Sequence, residues 1–196
     1  MNARRSGLAV WLLAVALFGG QNAMTYADSV AGHVIDMSSW SANRIAAYRK
    51  QPKPERKPEA LLRIPSIDLV VPVFAGTGDS ILDHGAGRIE GTSPFGANGN
   101  TGIAAHRDGF FRALRHVKVG DVLQVQLPET TLTYKIASTR VVDPSENSVL
   151  GPTAEPTITL VTCYPFYFVG SAPQRFIVRA TRVSTSEKIR LTRARR

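Results

Sequence analysis

Among the 196 residues of the chain there is one thiol, Cys163. A cysteine enzyme needs a thiolate, a positioned proton carrier and a donor for the oxyanion that develops on the attacked carbonyl. Cys163 closes the β-branched run 157–163 (TITLVTC), and Tyr164-Pro165 comes next and stops the strand. That spacing puts the sulfur at a strand exit, facing a loop through which a substrate can arrive. Taken alone, a single cysteine is more often an inert buried side chain. It also excludes a disulfide scaffold and any multi-cysteine metal site.

The histidines are His33, His84, His106 and His116. His106 stands apart because it comes after a short small-residue strand, 101–105 (TGIAA), and opens the polar turn Arg107-Asp108-Gly109, so it too lies at a strand exit. His33 falls in the N-terminal segment, His84 in a glycine-rich loop, and His116 after Leu114-Arg115 at a packing position. Arg175 begins the strand after the loop 164–174. A guanidinium close to Cys163 lowers a thiol pKa from its free value of about 8.5 and can pin an oxyanion. By itself Arg175 reads as an ordinary strand-edge arginine.

These three residues must be positioned by strands. Residues 61–64 and 69–74 are short β-type runs broken by Pro65 and Pro72, and 76–100 reads as glycine-rich turns and loops. Residues 122–127 (VLQVQL) and 131–142 (TLTYKIASTRVV) have alternating or β-branched character with a turn at Pro128-Glu129, and 176–183 (FIVRATRV) is a further strand. Many short strands between Gly/Pro turns predict an all-β sandwich or small barrel spanning residues 61–183. That length is enough to form a core without disulfides.

Net charge is +9, unevenly placed: residues 1–63 carry +5, residues 64–178 carry −2, and residues 179–196 carry +6. A nucleic-acid binder wears its positive charge on the folded surface that grips phosphates. Here the excess sits on the flanks, and no nucleic-acid partner is expected. The tail 184–196 reads as solvated and basic.

Residues 6–27 are free of charge, with a continuous apolar heart at 8–18, and Arg4 and Arg5 precede them. Paired arginines stay cytoplasmic and send the chain on the far side of the apolar run outward. The segment 1–27 is expected to be an uncleaved signal-anchor rather than a removed signal peptide, and either exports the domain. Within 28–60, residues 37–50 predict an amphipathic helix carrying Trp40, Ile45 and Tyr48, which can lie on headgroups or pack on the domain. A basic, proline-rich linker, 50–58 (KQPKPERKP), leads from it to the domain.

Three separated segments resemble sortases. TLVTCYPF (159–166) is similar to the family's active-cysteine strand, AHRDGFF (105–111) to its histidine turn, and APQRFIVRA (172–180) to the strand bearing its arginine. The glycine-rich run 82–100 is similar to the family's approach to that histidine. Tyr-Pro-Phe after the cysteine and the short loop to the arginine look most like class D, including proteobacterial members. Ala105 stands where many sortases have glycine. No second apolar run or lid insertion is visible, unlike the pilus-polymerising class.

The resemblance implies an eight-stranded sortase-type β-barrel with short helices behind an N-terminal membrane-anchor helix. It implies a cysteine transpeptidase acting on proteins with a Leu-Pro-x-Thr-Gly-like C-terminal sorting signal, with no cofactor. Carried over, Cys163 is the nucleophile, His106 the proton carrier and Arg175 the oxyanion holder. An amine nucleophile resolves the thioester. Thr162 and Tyr164, flanking the cysteine, are expected to contact substrate. Asp108 reads as a plain turn aspartate rather than an orienter of His106. Asp79, Asp83 and Glu90 form a loose acidic set of the kind that binds Ca²⁺ in some class A relatives, but without an ordered liganding loop, and no metal is assigned. The competing readings are a secreted cysteine hydrolase that uses water as acceptor, and a non-catalytic, membrane-anchored β-barrel binding module.

Overall fold

The computed structural model describes residues 35–167 and 170–184. The expected signal-anchor, His33 and the basic tail beyond Ser184 lie outside the described residues. Eight strands close into a barrel: β1 (Ala60–Ile64), β2 (Leu69–Ala75), β3 (Ala86–Arg88), β4 (Asn100–Ala104), β5 (Val122–Gln126), β6 (Thr131–Val142), β7 (Thr157–Tyr164) and β8 (Gln174–Arg182). Around the barrel the order is β1-β2-β3-β4-β7-β8-β6-β5. The β2/β3 and β4/β7 pairs are parallel and the rest antiparallel.

Side chains alternate between the two faces of each strand. On β7, Ile158 and Leu160 point inward and are fully buried with Val71, Ile103, Leu123, Val125 and Val178. The odd positions face out. There Val161 meets Val142, Val149 and Ile177 in a small second cluster beneath a 3₁₀ turn, Asn147–Leu150. This outer face of β4, β7 and β8 continues toward Cys163.

The stretch 76–100, expected to be loop throughout, contains a short helix, α2 (Asp79–His84), and strand β3. Glycines permit the crowding there: a Cβ on Gly87 would lie 2.0 Å from the Gly76 carbonyl oxygen. Gly76, at φ +87°, itself takes the left-handed conformation that glycine adopts freely. His84 ends α2, buried, with Nδ1 3.0 Å from the Ser80 carbonyl and its ring 5.0 Å from that of Tyr48. His116, expected to pack, is exposed at the end of a 3₁₀ helix, Phe110–His116, whose buried side is Phe110, Phe111 and Leu114.

The N-terminal helix is shorter than its sequence pattern, because Ser41 caps it: α1 runs Ala42–Lys50 and the Ser41 hydroxyl accepts from the Arg44 amide at 3.1 Å. It packs on the barrel rather than standing free. Trp40 meets Phe110 edge-on at 4.7 Å and Tyr48 at 5.8 Å, burying an apolar seam beside the His106 turn. Among the described residues no helix is long and apolar enough to cross a membrane.

Candidate active site

In the parallel pair β4/β7, Asn100 stands opposite Thr157 and Ala104 opposite Val161. The offset of that register, 57 positions, is also the one spanned by the Thr162–Ala105 hydrogen bond, and it equals the separation of His106 from Cys163. Extended two residues beyond Ala104, the same register brings His106 alongside Cys163. On the other side, β7 and β8 place Cys163 directly opposite Arg175. Directly paired residues project from the same face of a sheet, so Cys163 and Arg175 share one face of β7 and β8, and His106 follows two residues after the end of β4 on the other side of β7.

His106 and Cys163 line a single groove of about 590 Å³, together with Arg44, Asp108, Arg112 and Phe166. Cys163 is a free, partly exposed thiol. Arg175 lies at the rim: its guanidinium donates to the carbonyls of Ala172 (3.3 Å) and Gln174 (3.0 Å), and Ala172 forms part of the groove wall.

The two expected substrate contacts are placed differently. Thr162 is 2% exposed and donates its hydroxyl to the Ala105 carbonyl at 2.8 Å. It is directed inward, one residue out of phase with Cys163, and ties β7 to the residue before His106. Tyr164 shares that inward phase, stacks on Phe176 at 6.2 Å and meets Phe166 edge-on at 5.9 Å, closing the end of the core. Neither lines the groove. Phe166 and Tyr167 do, and Tyr167 lies under the Arg112 guanidinium at 4.8 Å.

Asp108 does not reach toward His106. One of its oxygens accepts from the Ser41 hydroxyl at 2.9 Å and the other from Arg44 Nε at 3.1 Å. Those bonds, with Arg44, hold its carboxyl below the usual range despite burial, which by itself raises it. Asp83, buried on α2, ion-pairs with Arg44 and sits 3.8 Å from His106 Nε2. Among the described residues no three His, Cys, Asp or Glu side chains gather into a metal site. His106 is pushed below its ordinary value, chiefly by burial and next by the Arg44 charge, with Asp108, Asp83 and Asp79 pulling the other way. A neutral imidazole therefore faces the groove at neutral pH. Sequence reasoning missed Ser41, Asn43 and Arg44 as groove residues. Their only local signal was Ser41 as a helix cap, which says where α1 starts and not what it packs against.

The model of the Sortase domain matches residues 62–183. Sortase D of Bacillus subtilis is 34% identical over 134 residues, covering 67% of this chain and 68% of the relative. The chain spans less of other relatives: 36% of Sortase SrtE1 from Streptomyces coelicolor, at 34% identity over 54% of this chain. Among solved structures, a Clostridium perfringens Sortase D5 transpeptidase superposes with TM-score 0.60 at 26% identity, over 72% of this chain and 88% of that one. A lid mutant of Sortase A from Corynebacterium diphtheriae gives 0.61 at 31% identity, over 69% and 74%. Barrel, groove and family match agree, and the similarity to Sortase D accords with the class D resemblance: this chain belongs to the sortase family of cysteine transpeptidases.

Proposed function

We propose that this sortase cleaves a Leu-Pro-x-Thr-Gly-like sorting signal through a thioester on Cys163 and passes the acyl group to an amine. The observation that carries the reading is that His106 and Cys163 line one groove, with Arg175 paired directly opposite Cys163 across β7 and β8. The Cys163 thiolate attacks the Thr–Gly carbonyl carbon, and the carbonyl electron pair moves onto oxygen, where Arg175 stabilises it. Collapse expels the glycine nitrogen, which takes a proton from the His106 imidazolium. An incoming amine then adds to the thioester, gives its proton to His106 and releases the sulfur. The thiolate–imidazolium pair is an isomer of the neutral thiol–imidazole pair, differing only in where one proton sits. The depressed basicity of His106 weighs toward its neutral form.

The charge-free run 6–27 behind Arg4 and Arg5 supports a single-pass anchor with the barrel on the extracytoplasmic side, within reach of exported substrates. On this reading residues 28–60 connect anchor to barrel, 61–183 form the catalytic barrel and 184–196 are a basic tail. The test incubates the full chain with a library of sorting-signal peptides, with and without triglycine, and tracks Cys163 by mass spectrometry. An acyl adduct on Cys163 that is chased into a triglycine-ligated peptide is expected. Only hydrolysed peptide in the presence of triglycine overturns amine transfer, and no adduct overturns the thioester.

A further inference from the structure

We propose that Arg44 is a positioning residue for His106: bound between Asp83 and Asp108, it occupies the buried Asp83 carboxylate that otherwise pairs with His106, and so leaves the imidazole free to serve Cys163. The inference rests on His106 being the proton carrier of the proposed reaction. It concerns a residue outside the stretch 62–183 matched by the family model.

The contested atom is one oxygen. Asp83 Oδ1 is engaged by Arg44 Nη1, and the same oxygen lies 3.8 Å from His106 Nε2, beyond a hydrogen bond but within the range of an ion pair. Arg44 reaches it because its Nε is at the same time held by Asp108 Oδ1 at 3.1 Å. The planar fork of a guanidinium spans two carboxylates in a way that an ammonium does not. Ser41 completes the clamp on the second Asp108 oxygen at 2.9 Å, and its backbone N–H donates to the Asp108 carbonyl at 3.2 Å. Gly109 leaves room for the arginine stem, since a Cβ there would stand 3.1 Å from Arg44 Cγ. Helix α1 is thus bolted to the His106 turn at its first turn, and Ser41, Asn43 and Arg44 form one wall of the groove that holds Cys163.

Without the guanidinium, a buried carboxylate is left uncompensated beside the imidazole. Such a group is neutralised by whichever proton or cation is nearest, and here that is protonated His106. The charged groups that face His106 are Arg44 from α1, Asp79 and Asp83 from α2 and Asp108 from its own turn, with Arg107 and Arg112 on the groove wall. Arg44 is the cation that counts against its protonation; the three aspartates favour it.

The experiment is a titration of the His106 ring protons by NMR on the full chain in detergent, the resonance assigned with His106→Gln. The wild-type midpoint is expected below about 6.5. Arg44→Gln raises it by about one unit or more, a roughly tenfold change in protonated fraction at a fixed pH. Arg44→Lys returns it only part of the way, because an ammonium does not span both carboxylates, and Asp83→Asn added to Arg44→Gln brings it back down. The pH profile of kcat/KM for peptide transfer is displaced in the same direction as the midpoint, whereas simple loss of packing lowers activity at every pH without displacing it. A folded Arg44→Gln chain whose midpoint is unchanged or lower overturns the proposal. Should Arg44→Gln fail to fold, Asp83→Asn alone decides: the midpoint falls if the carboxylate is poised to pair with His106, and an unmoved midpoint overturns the proposal. A midpoint that moves as expected in a protein that forms no thioester shows Arg44 governing the His106 equilibrium but overturns the catalytic reading on which its positioning role rests.

Discussion

At the scale of single residues, what distinguishes this site is that its histidine, His106, is buried enough to resist protonation. A histidine held below its unfolded value binds its proton later than the unfolded chain does as pH falls. The native state therefore loses stability relative to the unfolded state once pH drops below about 6.5, and continues to lose it down to the folded midpoint of His106. Urea midpoints measured from pH 7.5 to 5 should fall, and His106→Asn should flatten that slope. Arg175→Ala is expected to reduce kcat by about 10²–10³, the usual effect of removing an oxyanion donor. Arg175→Lys should recover only part of it, because an ammonium lacks the planar fork with which a guanidinium meets an oxyanion. Full transfer activity in Arg175→Ala would remove Arg175 from the mechanism. His106, Cys163 and Arg175 stood out in the sequence because each sits at a strand boundary that Pro, Gly or polar turn residues announce. Thr162 and Tyr164, expected to contact substrate, have their side chains turned inward. Adjacency to Cys163 suggested the groove, but a strand sends neighbouring side chains to opposite faces.

At the scale of elements, the β4/β7 register sets where the His106 turn leaves the sheet relative to Cys163, and α2 brings Asp83 up to the imidazole. The Thr162–Ala105 bond closes that register at its working end. Thr162→Val keeps the shape and leaves the buried Ala105 carbonyl short of a donor, at a cost of about 1–3 kcal/mol. Chemical denaturation should show that loss, and transfer activity should fall further than stability alone explains if the His106 turn loosens. Gly87→Ala is expected to be worse, since the new Cβ would meet backbone that cannot move aside; overpacking of this kind costs about 1–3 kcal/mol and often more. A Gly87→Ala protein with wild-type stability would show that the β2–β3 crossing is looser than its backbone spacing implies. The alternating and β-branched runs made β5, β6, β7 and β8 legible to within a few residues. Strand β3 and helix α2 were not, because three and six residues among glycines give no period to detect.

At the scale of the whole molecule, the catalytic groove is built from two parts of the chain that composition separates. The barrel contributes three walls and the segment before the linker contributes the fourth through Ser41, Asn43 and Arg44. Sequence patterning identified that segment as an amphipathic helix and left open whether it meets lipid or protein; long-range packing of Trp40 on Phe110 decides it, and no local pattern encodes such a contact. For the proposed anchor, a charge placed in the apolar heart is the direct check. Leu13→Arg should move the full chain from the membrane to the soluble fraction, since an arginine at a span centre costs about 2.5–3.5 kcal/mol on insertion scales. Unchanged membrane retention would count against a spanning role for residues 6–27.

Closure of the sheet also limits how a peptide can be read. Among the described residues every strand has a hydrogen-bonded neighbour on each side for part of its length, so an incoming chain can add itself as a further strand only along the short stretches where a ladder stops, such as β6 beyond Lys135 on its β5 side. On the proposed function, a sorting signal that reaches Cys163 would cross the outer ends of β7 and β8 in the groove. Its main-chain polar groups then have to be met by arginine forks, loop carbonyls and water, and selectivity passes from backbone pairing, which is blind to side chains, to the shape of the trough itself.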